Sequence, residues 1–230
     1  VGNHFFKKAE DTDVKENQLI YFLESTYHFG KTEDENKTLE SYELVYQLSD
    51  WIGDLEHEAE FAKKGWKLSK QNSDRMLQTR WLLRVIDSEI KLNNVTEAAE
   101  YMNEVESRLP AGEDLDSMNA EDSQHWNELI TNYWIHKGRI SDRQKESQEG
   151  KKFLEKGILL AETLNDKKLL SECYYTTGRI VRRYGEYDIA RDYFSKAYEL
   201  IRDDPAEWQL QLRCISHIAL IDRYEGKTAK

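Results

Sequence analysis

The chain resembles itself at intervals of about 40 residues, and this repeat limits the possible folds more than any other feature of the sequence. Four stretches share the same order of large, small and aromatic residues, and an incomplete fifth follows them. These repeats cover residues 39–72, 79–112, 131–164 and 171–204, with the partial copy at 212–230. Periods of this length are typical of arrays of small helical units that stack on one another.

Within each copy, the apolar residues have the spacing of two helices joined by a turn. In residues 171–204, Tyr174 and Gly178 lie on one face of a first helix, while Ala190 and Phe194 lie on one face of a second. We expect the small residues to let the two helices approach closely and the ring of Phe194 to fill the space beside them. Gly185 should end the first helix, because a left-handed backbone conformation is needed there.

This order of glycines, alanines and an aromatic residue resembles the tetratricopeptide repeat (TPR), in the long-period form of regulatory and sensor TPR domains. Residues 171–204 carry the pattern well, 131–164 fairly well, and the two earlier copies loosely. The resemblance implies an all-α fold, a right-handed α-α superhelix of about ten helices. We therefore expect one solenoid domain over residues 1–230, with further helices in 1–36.

Most tryptophans lie outside the repeat pattern. We expect them to fill gaps in units where Tyr46 or Ile86 stands at the position of the small residue. Trp51 is the expected exception, with its ring projecting into the concave face as an anchor for a ligand, because aromatic residues concentrate binding energy.

Composition excludes several functional classes. A net charge of −11 argues against direct nucleic-acid binding, which needs a basic surface. No apolar run approaches the roughly 18 residues of a membrane span, so we expect no membrane insertion. The two cysteines suit a reducing compartment, which favours a cytoplasmic location. The incomplete copy at 212–230 suggests that the native protein continues or that its last helix forms a cap.

No pattern in the sequence is typical of an enzyme, a cofactor site or a metal site. The phosphate-binding loop, the dinucleotide fingerprint, the HExxH helix and the GxSxG turn are all missing. The six histidines are scattered, and no two are four residues apart. Cys173 and Cys214 hold the same position in neighbouring units, which predicts burial. We therefore expect a non-enzymatic protein that binds no cofactor.

Seven of the thirteen arginines fall on three neighbouring copies, at positions that the TPR resemblance places on the concave face. In that family the first helix of each unit lines this face. The candidate binding residues are Asn132, His136, Arg139, Arg143, Tyr175, Arg179, Arg182, Arg183, Arg213 and Arg223. Because a guanidinium group makes two parallel hydrogen bonds to a carboxylate, the cluster predicts a protein or peptide partner with an acidic segment.

Three alternatives remain open from the sequence alone. In the first, each arginine pairs with an internal carboxylate such as Glu172 or Glu186. In the second, the chain is a sensory or dimerisation domain of a larger bacterial signalling or transcriptional regulator, and could form a homodimer. In the third, the arginines bind a small anionic ligand, with Tyr175 and His136 as stacking and donor groups. Residues 39–72 also predict an acidic inner face nearer the N-terminus.

Overall fold

The computed structural model describes residues 2–32 and 34–226, and all regular structure in this part of the chain is helical. The elements are twelve α-helices and one short 3-10 helix, where the sequence predicted about ten helices. They are α1 (Gly2–Glu10), α2 (Lys15–Phe29), α3 (Glu35–Ile52), α4 (Leu55–Ser69), α5 (Arg75–Lys91), α6 (Val95–Glu106), α7 (Gly112–Ser117), α8 (Ala120–Arg143), α9 (Ser147–Leu164), α10 (Lys167–Arg183), α11 (Tyr187–Ile201), the 3-10 helix (Pro205–Glu207) and α12 (Trp208–Tyr224). The all-α class is confirmed.

The helices form two compact units, Val1–Arg108 with α1 to α6 and Leu109–Lys230 with α7 to α12. The predicted repeats 39–72, 79–112, 131–164 and 171–204 each contain most of one helix pair. The single solenoid domain over 1–230 stays a prediction. Its end at residues 227–230, and the positions of Val1 and Glu33, lie outside the described residues.

In the first unit, consecutive helices pack against each other from α1 to α6. Aspartates begin three of these helices. The side chain of Asp34 accepts a hydrogen bond from the backbone of Lys37, and Asp54 and Asp74 do the same for the first turns of α4 and α5. Gly53 follows the last residue of α3 with a φ of 79°, a left-handed conformation that favours glycine.

The core of the first unit depends on a close approach of α4 and α5 at Gly65. A Cβ atom at this position would lie 2.2 Å from Cε3 of Trp81, whose side chain is 1% exposed. Trp66 in the same unit and Trp126 in the second unit are also buried. The prediction that tryptophans outside the pattern fill the core is confirmed for these three. Trp51 and Trp208, by contrast, are 41% and 42% exposed, so the prediction is wrong for Trp208.

In the second unit, α8 packs against α9 and α10, and α10 also packs against α9, α11 and α12. A Cβ atom at Gly178 would lie 2.9 Å from the ring of Phe194, which is fully buried. The predicted roles of Gly178 and Phe194 are therefore confirmed. Gly185, just after α10, has a φ of 80° as expected. The extra residues between the repeats 79–112 and 131–164 form α7 and the first turns of α8, which begins at Ala120.

Three further findings concern the predicted absences and the cysteines. None of the helices in the described part of the chain combines the length and apolar character that crossing a bilayer requires. Within residues 2–32 and 34–226, no group of three or more histidine, cysteine or acidic side chains could hold a metal ion. Cys173 and Cys214 are fully buried, and burial raises the pKa of the Cys214 thiol to about 12.

Candidate functional site: an arginine surface on the second unit

Three helices of the second unit bring the predicted arginines together. α10 lies beside both α8 and α12, so the first helices of three consecutive repeats are neighbours. We use the term arginine surface for the seven arginines that these helices carry. They are Arg139 and Arg143 on α8, Arg179, Arg182 and Arg183 on α10, and Arg213 and Arg223 on α12. The surface lies entirely within the second unit.

Arg179 lies on α10, the central helix of this surface, within electrostatic range of other arginines. Burial lowers the pKa of the Arg179 guanidinium, and Arg139 and Arg143 lower it further, although Tyr175 and Asp142 act in the opposite direction. The guanidinium groups of α8 and α10 therefore lie within electrostatic range of one another. Like charges at this range disfavour the charged form of Arg179.

Asp142 supplies one internal counter-charge. Its carboxyl group is almost fully buried, and Nη1 of Arg183 donates to Oδ1 at 2.9 Å and to the backbone oxygen of Asp142 at 3.1 Å. Burial raises the pKa of Asp142, while Arg183, Arg179 and Arg143 oppose that rise. Arg183 is thus partly engaged within the protein, but its side chain remains 44% exposed.

The internal pairing of Arg183 does not use the glutamates that the sequence suggested. The carboxylate of Glu186 accepts a hydrogen bond from Nζ of Lys151 at 2.8 Å. Asp142 precedes Arg183 by 41 residues, close to one repeat length, and this spacing is the signal by which the pair could have been found.

Tyr175 lies where α10 meets α12, beside His217, a residue that the sequence did not indicate. The hydroxyl of Tyr175 is 3.3 Å from Nε2 of His217, and the His217 ring stacks on Phe194 with centroids 4.8 Å apart. Burial lowers the pKa of His217 to about 4, and Arg182 and Arg179 lower it further. His217 is therefore neutral near pH 7. It follows Tyr175 by 42 residues, again about one repeat.

Two arginines join this aromatic group. Burial raises the pKa of the Tyr175 phenol, and Arg179 and Arg213 act against that rise. Since Arg213 lies on α12, this helix is within electrostatic range of α10. The Arg179 guanidinium carbon lies 5.9 Å from the centroid of the Tyr175 ring. Nε of Arg182 is buried and finds no hydrogen-bond acceptor among the residues that the structure describes. A buried donor of this kind is rare in proteins.

The remaining candidates differ in accessibility. Asn132 donates to the backbone oxygen of Glu128 on its own helix at 3.0 Å. His136 is 7% exposed, as is Tyr175, and Nη1 of Arg139 lies 3.5 Å from Nδ1 of His136. Arg143, Arg213 and Arg223 are exposed. The part of the site open to solvent is therefore formed by arginines.

On the corresponding face of the first unit, basic residues of α5 pair with acidic residues of α3. Nη2 of Arg84 lies 2.6 Å from Oε1 of Glu43, and Nζ of Lys91 lies 2.6 Å from Oδ1 of Asp50. The acidic inner face predicted for residues 39–72 is thus largely neutralised by cations on α5. Neither Arg84 nor Lys91 was expected from the repeat pattern.

The fold of the chain can be compared with known proteins. No protein-family model matches the sequence, and no curated protein sequence does. BtubC from P. vanneervenii matches in structure with a TM-score of 0.59 at 12% identity, over 94% of this chain and 85% of that one. A thermophilic TPR protein from Thermus thermophilus matches with a TM-score of 0.55 at 13% identity, over 95% of this chain and 99% of that one. The chain has a TPR-like fold.

A third solved structure agrees with the TPR-like fold. Aspartyl phosphate phosphatase F from Bacillus subtilis matches with a TM-score of 0.58 at 11% identity, over 97% of this chain but 59% of that one. At these identities the matches establish the fold alone. The TPR-like fold explains why α8, α10 and α12 are neighbours, since they are the first helices of successive units and each unit stacks on the next.

Proposed function

We propose that the chain is a non-enzymatic protein-interaction module, and that the arginine surface binds an acidic peptide or an acidic segment of a protein partner. The ligand would lie across α8, α10 and α12, with its carboxylates against the guanidinium groups. The net charge of −11 makes this surface a local exception in an acidic protein. A basic patch of this kind raises the local concentration of acidic ligands.

One observation supports the proposal most strongly. Arg139, Arg143 and Arg179 crowd together, although like charges and burial both disfavour the charged form of Arg179. Asp142 is a counter-charge for this group, and it is already bonded to Arg183. A carboxylate from a ligand would lower the free energy of the cluster. Where water is excluded, each charge-assisted hydrogen bond contributes on the order of 1.5–3 kcal/mol.

Titration calorimetry with acidic model peptides, each about nine residues long with three glutamates, tests the proposal. The Arg179→Ala/Arg182→Ala variant should bind at least tenfold more weakly, because it removes two positive charges from α10, the central helix of the arginine surface. Arg202→Ala is the matched control, since Arg202 is an exposed arginine of the same unit that pairs with Glu199 on α11. Binding should also weaken as salt is added. Equal affinity of the double variant and the wild type would refute the assignment.

A small anionic ligand is the competing proposal, and the accessibility of two residues argues against it. Its stacking and donor groups would be Tyr175 and His136, and each of these residues is only 7% exposed. Titration of inorganic phosphate and citrate in place of the peptides separates the two. Saturable binding of citrate that survives in the presence of excess peptide would favour the small ligand.

A further inference from the structure

The arginine surface is regular along the direction in which the helices stack. Arg143, Arg183 and Arg223 follow one another at intervals of about 40 residues. Each lies in the last turn of its helix, α8, α10 and α12 respectively. Because these helices are neighbours, the three arginines form a row that crosses the helix axes. All three are exposed.

The spacing of this row sets the spacing of charges on a matching ligand. Packed helices have axes about 8–10 Å apart, so equivalent residues on neighbours are separated by a similar distance. A polyproline II chain advances about 3.1 Å per residue with three residues per turn, so every third side chain points the same way, roughly 9 Å further on. A helical ligand presents side chains on one face about 5–6 Å apart at every third or fourth residue and about 10.5 Å apart at every seventh, and neither spacing matches the row as well.

We infer that the ligand is an extended peptide with an acidic side chain at every third residue, running across α8, α10 and α12. This inference rests on the proposed function and adds the spacing of the charges. The three acidic groups face Arg143, Arg183 and Arg223 in turn. Arg183 can make this contact although it is bonded to Asp142, because those bonds use Nη1 alone and leave the side chain 44% exposed.

A different role for the row makes a different prediction. Cations in the last turn of a helix also stabilise it through the helix dipole. That role alone implies no preference between ligands of equal charge. A preference for one spacing therefore distinguishes a binding row from three independent helix ends.

Two peptides of identical composition test the spacing. Both have about nine residues, three glutamates and otherwise alanine, serine and proline; one carries glutamate at positions 1, 4 and 7, the other at 1, 2 and 3. Calorimetry on the full chain should show at least tenfold tighter binding of the periodic peptide. A double-mutant cycle then combines Arg223→Ala with replacement of a terminal glutamate by glutamine. One terminal glutamate of the peptide should face Arg223. For that glutamate, the fold-loss of affinity in the combined variant should be smaller than the product of the fold-losses of the two single changes.

The possible failures are distinguishable. If both peptides bind with equal affinity and both weaken with salt, the spacing inference is overturned and the acidic-peptide function stands. The spacing inference is also overturned if the two peptides bind equally and the fold-losses of affinity simply multiply in the double-mutant cycles at both terminal glutamates. If neither peptide binds at millimolar concentration, the proposed function fails together with the inference.

Discussion

The buried carboxylate of Glu58 makes the stability of the first unit depend on pH near neutrality. Glu58 is fully buried, and its Oε1 lies 2.7 Å from Nζ of Lys91. The same Nζ atom lies 2.6 Å from Oδ1 of Asp50 and 2.8 Å from Oδ2 of Asp87. One cation is therefore shared by three carboxylates from three helices. Burial raises the pKa of Glu58 to about 7, although Lys91 acts against the rise.

The magnitude of the effect comes from the difference between this pKa and the ordinary value. A rise of the Glu58 pKa from 4.5 in the unfolded chain to about 7 in the folded protein corresponds to about 3 kcal/mol in the free energy of unfolding. Because the folded pKa is raised, the protonated form stabilises the fold. The stabilisation is complete below about pH 4.5 and is lost as the pH rises through 7. Most of the change, about 2.5 kcal/mol, falls between pH 5 and pH 8.

Urea unfolding of the wild type and the Glu58→Gln variant at several pH values measures this contribution. The free energy of unfolding of the variant, relative to the wild type, should rise by about 2.5 kcal/mol between pH 5 and pH 8, since glutamine cannot ionise. A difference that stays constant over this range would refute the reasoning. Using differences between two proteins cancels the titration of all other groups.

Glu89 provides a matched control with the opposite sign. It is also a fully buried glutamate of the first unit, but burial is outweighed by hydrogen bonds from Lys63 and Asn94, and its pKa is lowered. Its ionised form therefore stabilises the fold above the ordinary pKa, and this contribution is lost on acidification. Glu89→Gln should be destabilised at neutral pH, and the gap should close as the pH falls.

Two further predictions concern packing and affinity. Gly65→Ala should lower the free energy of unfolding by about 2 kcal/mol in urea denaturation, because its Cβ would overlap Trp81, whereas Gly112→Ala has open space and should be neutral or slightly stabilised. Equal effects at the two glycines would contradict this packing. Asp142→Asn should bind acidic peptides about three- to tenfold more tightly in calorimetry, because Arg183 loses its charged internal partner. An unchanged or weaker affinity would show that Asp142 does not compete with the ligand.

The fold could be predicted from the sequence because its determinants repeat. The contact of Gly178 with Phe194 and the left-handed Gly185 follow from one unit, and each further copy supports the same interpretation. The insertion before residue 131 could not be assigned in this way. Its residues form α7 and the first turns of α8, whose starts depend on local capping by residues such as Asn119.

The site was predictable only in part. The repeat register places arginines on neighbouring helices and marks candidate partners about one repeat away, but it does not decide which of these carboxylates reaches an arginine. Asp142 lies one position off the register of Arg183, and His217 lies in the incomplete copy at 212–230. In the first unit, Arg84 and Lys91 neutralise the expected acidic face. Charge pairing across helices depends on side-chain reach, which a repeat pattern does not encode.

The most direct test of the binding surface is an NMR titration that observes the arginine Nε–Hε groups while an acidic peptide with glutamate at every third residue is added. We predict that the signals of Arg183 and Arg223 shift and saturate together, while that of Arg202, just after α11, does not move. Shifts confined to Arg202 or to arginines of the first unit, with Arg183 and Arg223 unchanged, would contradict the assignment.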